Sequence, residues 1–117
     1  VCLNPASYAD DTATNYTNIG SKIQNDGYIT AIGVSSAMPW AFYPTAVGGS
    51  ETTYIPDYAY YGSGWRVLHV GGNWNNGGNA GLFYFNANNT SSNSNSNVGA
   101  RLLVFSFDWR RLSLTAW

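Results

Sequence analysis

The 117-residue sequence predicts an α+β domain of short antiparallel strands, one or two short helices and long surface loops. Short runs rich in β-branched and aromatic residues recur along the chain, each bounded by glycine or proline. Only one stretch carries a helical apolar spacing. Two long segments rich in Gly, Asn and Ser have no apolar period, as expected of loops.

In chain order, residues 1–15 are small and polar, with Pro5 as a breaker. They read as an N-terminal arm or linker, and the domain proper spans 16–117. Ile19 and Ile23 stand four apart within 16–26, and Gly27 supplies a stop. A short amphipathic helix is expected there, weakened by Gly20. Residues 28–35 (YITAIGVS) alternate as a half-buried strand does. Residues 36–47 hold two prolines and three aromatics, and Ser36 opens a candidate short helix that Pro44 ends early. Gly48-Gly49-Ser50 is a turn. The β-rich run 52–61 contains Pro56, which marks it as an edge strand or an extended segment. After Gly62-Ser63-Gly64, residues 65–70 (WRVLHV) alternate, with Trp65, Val67 and His69 on one face and Arg66, Leu68 and Val70 on the other. Gly71-Gly72 ends that strand. Residues 82–85 (LFYF) form a short apolar strand and 101–107 (RLLVFSF) a strongly apolar one. The terminal WRRLSLTAW (109–117) reads as a last strand or an exit toward a partner.

Composition excludes several function classes. Five Lys+Arg against six Asp+Glu leave no basic face for nucleic acid. An aromatic share of 16% argues against a disordered tail. Cys2 stands alone, so there is no disulfide framework. No apolar run approaches about 18 residues, so no membrane insertion is expected. Val1 is not Met and no signal-peptide pattern follows, so the chain reads as a portion of something larger.

Asparagine occurs fourteen times, and ten of these lie between Asn73 and Asn97. A plain polar linker would explain the composition. Trp74, Leu82, Phe83, Tyr84 and Phe85 are interleaved with the asparagines, however, and an apolar run resumes at Arg101. Those features favour anchored loops over a free linker. Neutral Asn and Ser offer donors and acceptors without fixed charge, and Tyr and Trp are rigid anchors, a combination used by paratopes. The segment therefore reads as a binding surface on loops held by a scaffold.

The run GWRVLHVGGNWNNGGNAGLFYFNANNTSSNSNSNVGARLLV (64–104) resembles the variable region of target proteins diversified by diversity-generating retroelements. The upstream VGGSETTYIPDY (47–58) fits the same scaffold, and the match covers about residues 39–107. The resemblance implies a C-type-lectin fold of the formylglycine-generating-enzyme type, with a variable region at about 71–101. In such systems adenine-rich Asn codons become hypervariable. The corresponding positions are Asn73, Asn75, Asn76, Asn79, Asn86, Asn88, Asn89, Asn93 and Asn95, and Tyr84, interleaved with them, joins the ligand-binding set. Asn97 sits against VGAR and is expected to be structural. Gly71, Gly72, Trp74, Gly99 and Arg101 would be invariant framework, with Trp74 packed under the loops. The implied role is recognition of a bacterial surface receptor, protein or glycan, from a phage tail fibre tip in the virion. A bacterial cell-surface protein and a structural component of the virion are the alternatives. A homo-oligomer, with a trimer favoured, or association with other tail proteins would multiply weak loop contacts.

Enzyme and metal readings are weaker, and no cofactor is expected. The oxidase chemistry of the related fold needs a reactive thiol pair, and this chain has only Cys2. His69 reads as a packed or hydrogen-bonded strand histidine rather than a base beside a nucleophile. Trp74-Asn75-Asn76 resembles the Trp-Asn-Asp calcium motif of lectins, but an amide replaces the carboxylate and no Glu-Pro-Asn occurs. Asp26, Asp57 and Asp108 are scattered. Asn15, Asn88 and Asn89 match the glycosylation pattern, as is common by chance in an Asn-rich chain.

Overall fold

The computed structural model describes residues 1–2 and 12–99. The strand expected over 101–107 and the 109–117 terminus lie outside the described residues, as does most of the 1–15 arm. Among the described residues, one five-stranded sheet dominates and curls into a half-barrel. Its strands are β1 (Gly27–Ser35), β2 (Met38–Val47), β3 (Tyr58–Tyr61), β4 (Val67–Val70) and β5 (Phe85–Asn89), in the spatial order β2-β1-β3-β5-β4.

β1 coincides with the alternating run predicted over 28–35. It turns back at Ser36-Ala37, where the Ala37 N–H donates to Ser35 Oγ at 3.2 Å. The helix proposed within 36–47 is absent, and β2 occupies that stretch. Aromatic and β-branched residues such as Trp40, Phe42 and Thr45 fit a pleated surface better than a helix. Among the described residues β2 is the sheet edge, where Pro39 and Pro44 are tolerated because a missing N–H need not break a ladder. The β1–β2 pairing is antiparallel, with Ile32 opposite Pro44 and Ser35 opposite Met38. Its register shifts between Ile29 and Ile32 and again between Gly33 and Ser35. Bulges of this kind bend a strand and increase its twist, which supplies curl.

The run 52–61, expected as an edge strand or an extended segment, is corrected twice. Only Tyr58–Tyr61 is strand, and it is central, between β1 and β5. Pro56 precedes it, so its missing N–H removes no ladder bond. The strand predicted at 82–85 also shifts: Leu82 and Phe83 form a turn and β5 begins at Phe85, so the Asn-rich stretch FNANN is itself strand. Its pairing with β3 is parallel, Tyr60 opposite Asn86, whereas the other three pairings are antiparallel as expected.

No helix forms over 16–26. Gly20 sits at φ +86°, outside the helical region, and its N–H donates to Asn18 Oδ1 at 2.9 Å. An Asn that bonds a nearby backbone group offers the chain an alternative to the helix. The segment instead runs without regular secondary structure, with Ile23 buried against Ile29 and Ala59 and the Tyr43 hydroxyl donating to Ile19 O at 2.7 Å. The helical elements among the described residues are two 3-10 turns, Ala13–Asn15 and Gly77–Asn79. None is long and apolar enough to cross a membrane. The core around Ile23, Ile29 and Ala59 is extended by Ile32, Val47, Ile55, Tyr61 and Phe85. Each fully buried aliphatic side chain there contributes roughly 1.5–3 kcal/mol.

Candidate functional site

Two Asn-rich segments flank β5. Residues 71–84 join β4 to β5, and 90–99 follow β5. Between Gly71 and Gly99 there is no Asp, Glu, Lys, Arg or His. Val70 pairs with Phe85 and Val67 with Asn89, so the two segments start at opposite ends of the strand pair. They nevertheless meet, because Asn97 Nδ2 donates to Asn75 Oδ1 at 3.1 Å. The second segment doubles back along β4 and β5, and the two form one surface.

Local bonds fix the first segment. The Asn73 N–H donates to Asn76 Oδ1, and the Asn76 and Asn79 N–H groups donate to the carbonyls three residues before them. Gly72 has φ +98°, and a Cβ there would lie 2.6 Å from Ala80 Cβ. That conformation and close approach explain why glycine stands at this position. Further on, the buried Asp57 carboxylate accepts the Phe83 N–H at 2.7 Å. It lies so close to Gly81 that any Cβ there would overlap it. Asp57 thus pins the turn that delivers the chain into β5.

A line of amides runs outward from the interior. Asn86 Nδ2 donates to the Tyr84 hydroxyl at 3.1 Å, and Asn86 Oδ1 accepts the Asn88 N–H at 3.1 Å and Asn89 Nδ2 at 2.9 Å. Asn93 Nδ2 then donates to Asn89 Oδ1, and Asn95 Nδ2 donates to Asn93 Oδ1 at 2.6 Å. Asn89 Nδ2 also reaches His69 Nδ1 at 3.4 Å, so His69 is a hydrogen-bonded strand histidine. Beneath lies a row of tyrosines. Tyr28 meets Tyr58 edge-on at 5.0 Å, Tyr58 meets Tyr60 at 4.7 Å, and Tyr60 meets Tyr84 at 5.9 Å between ring centroids. The Tyr28 hydroxyl donates to Asn79 Oδ1 at 3.0 Å, tying the row to the first loop. Burial, then the Asp26 charge and the neighbouring phenols of Tyr60 and Tyr28, push the Tyr58 phenol above its ordinary value of 10.

The predicted ligand-binding residues divide by exposure. Asn75, Asn88 and Asn95 are exposed, and Asn73, Asn76, Asn79, Asn89 and Asn93 are half-buried. Tyr84 and Asn86 are buried and bonded to each other, so they support the surface from inside and do not present a face to a ligand. Trp74 corrects the other way. It is 78% exposed, not packed under the loops, and it sits in a turn closed by the bonds of Asn73, Asn76 and Asn79. Asn97, expected to be structural, makes the bond that joins the loops. Residue-by-residue reading missed Tyr28, Tyr58, Tyr60 and Asp57. The i, i+2 spacing of Tyr58 and Tyr60 puts both on one strand face and was a usable signal. The role of Asp57 depends on a contact 26 residues away. Among the described residues no three His, Cys, Asp or Glu side chains gather in a way that could hold a metal ion. Arg101 and the rest of VGAR beyond Gly99 lie outside the described residues.

Fold and site together define a β-rich domain in which a curled sheet carries a charge-free amide surface. Comparison with protein-family models, with curated proteins and with solved structures returns no match.

Proposed function

We propose that this domain is a receptor-binding module whose loops over 71–80 and 90–99 recognise a bacterial surface receptor. In this reading it is a C-type-lectin-like target protein of a diversity-generating retroelement, displayed at a phage tail fibre tip, and it binds without catalysing a reaction. The observation that carries the reading is the joining of two charge-free, Asn-rich segments into one surface by Asn97 and Asn75. Asn75, Asn88 and Asn95 point outward while Asn86 and Tyr84 hold the base. A surface whose outer side chains can change while inner ones keep the fold separates recognition from stability. Exposed Trp74 supplies a rigid aromatic contact beside neutral donors and acceptors.

The test replaces Asn75, Asn88 and Asn95 together with serine. Adsorption to host cells should change while the melting temperature stays within a few degrees, and unchanged adsorption would refute the binding role. The diversification claim has its own test. A reverse transcriptase gene and a near-identical repeat differing at adenines must lie beside the coding sequence. A role in virion assembly is the second reading, supported by Trp40 and Phe42 exposed on the edge strand β2. It predicts particles that fail to assemble when those aromatics are replaced, and adsorption indifferent to the loops.

A further inference from the structure

The irregular segment before β1 leaves a cavity of about 310 Å³ between itself and the sheet. Its floor is apolar, with Ile23 from the segment and Tyr61, Leu68 and Phe85 from β3, β4 and β5. Phe85 and Ala87 line it, whereas Asn86 between them belongs to the line of amides. Alternation along β5 therefore puts the cavity and that amide on opposite faces of the strand. Beside the floor, the rings of Tyr16 and Trp65 pack with centroids 4.5 Å apart and form an aromatic wall.

Charge sets this cavity apart from the amide surface. Lys22 and Arg66 are the two Lys or Arg side chains among the described residues, and both line it. No carboxylate of the described residues does. Arg66 is also seated. A Cβ at Gly62 would lie 2.7 Å from Arg66 Nε, so the bare glycine leaves the room that the guanidinium occupies. Arg66 Nη1 donates to the Trp65 carbonyl at 3.1 Å, which uses one of its five N–H donors. An arginine fork beside an aromatic wall suits a carboxylate carried on a ring, because the fork takes both oxygens while the ring lies against the wall. Thr17 and Asn18 complete the lining with neutral polar groups. Asn18 Oδ1 accepts the Gly20 N–H, which leaves Nδ2 as a donor for ring hydroxyls.

We propose that this cavity binds one uronic-acid residue, a pyranose bearing a carboxylate. The volume stands at the low end of small-molecule sites, which run from about 300 to 1,000 Å³, and fits a single ring. The carboxylate meets Arg66 and Lys22, the C–H face of the sugar lies on Trp65 and Tyr16, and Thr17 and Asn18 meet hydroxyls. The site is separate from the loops over 71–80 and 90–99 and does not rest on their role.

The test is titration of the isotope-labelled full chain with sodium glucuronate, followed by amide and indole NMR shifts. A dissociation constant on the order of 1–10 mM is expected for one sugar residue. The shifts should centre on Gly62, Gly64 and Trp65 and spare 73–79. Glucose, which lacks the carboxylate, should bind at least about 10-fold more weakly. Arg66→Gln should weaken glucuronate about 10-fold and Trp65→Ala about 5-fold. Both residues are exposed, and melting curves check that each variant folds. The combined Asn75→Ser, Asn88→Ser and Asn95→Ser protein should bind glucuronate as the parent does, which keeps this site distinct from the loop surface. A spectrum unshifted at about 50 mM glucuronate would overturn the proposal. So would equal binding of glucose, a folded Arg66→Gln protein that binds as the parent does, or shifts confined to 73–97. Benzoate or inorganic sulfate binding more tightly than glucuronate would overturn the sugar assignment in favour of an aromatic acid or a bare anion.

Discussion

Asn86→Ala is the substitution that separates scaffold from variable surface. Asn86 is 6% exposed and makes three hydrogen bonds, to the Tyr84 hydroxyl, the Asn88 N–H and the Asn89 amide. The partners at Asn88 and Asn89 are exposed or half-buried, so water replaces much of what they lose. Those two bonds together are worth about 1 kcal/mol net. The Tyr84 hydroxyl lies in a side chain only 1% exposed. Depriving it of its donor costs about 1–2 kcal/mol more. The truncated side chain adds a small cavity, bringing the expected loss to about 2–4 kcal/mol. In a domain of this size that is a drop on the order of 10 °C in Tm. Urea unfolding followed by tryptophan fluorescence measures it, with an unchanged m-value as the check that the unfolded state is the same. Asn75→Ala, at an exposed position of the same composition, should stay within about 0.5 kcal/mol. A double cycle with Tyr84→Phe should return a coupling of about 1 kcal/mol for the shared bond. An Asn86→Ala protein as stable as the parent, or an Asn75→Ala protein equally destabilised, would refute the division of the asparagines into supporting and outward-facing sets.

Other perturbations test the frame. Gly81→Ala drives a methyl into the Asp57 carboxylate and should cost several kcal/mol, on the order of 3. Asp57→Ala in the same protein should recover part of that loss, as read by thermal melts. Gly72→Ala combines a left-handed φ with a clash against Ala80 and should cost about 1–3 kcal/mol, measured by the same melts. Ile29→Ala in the core should cost about 3 kcal/mol in denaturant unfolding. The Tyr58 phenol gives a pH signature. Because its folded value lies above 10, the folded form keeps a proton that the unfolded form releases as pH rises past 10. Stability should therefore fall with pH from 10 up to the folded value, and Tyr58→Phe should make that fall shallower.

Elements whose residues carry their own preference were readable from sequence. YITAIGVS announced β1 through alternation and β-branching, and Gly71-Gly72 announced the break after β4. The elements misread were those decided by distant partners. Ile19 and Ile23 keep a helical spacing, yet the sheet buries Ile23 from an irregular chain, and the Asn18 bond to Gly20 disfavours the helix locally. FNANN has a weak strand preference and becomes β5 only because β3 and β4 pair with it on both sides. The candidate site was legible as a place and not as an arrangement. Composition located the amides between 73 and 97, but the buried position of Asn86 follows from its register opposite Tyr60. Trp74 likewise stands exposed in a turn whose Asn73–Asn76 bond composition does not specify.

The parallel pairing of β3 with β5 bears on the order in which the chain assembles. β5 takes its place between β3 and β4, so the β4 stretch and the whole of 62–84 must be set aside before the sheet can close. Parallel partners demand that long excursion, and contacts of such sequence separation form late and slowly. The entropy of closing a loop grows only logarithmically with its length, so doubling the connection costs about 0.6 kcal/mol. A longer or shorter 71–80 segment would then change both the time the sheet takes to close and the stability of the finished structure only slightly, since the same small entropy enters both.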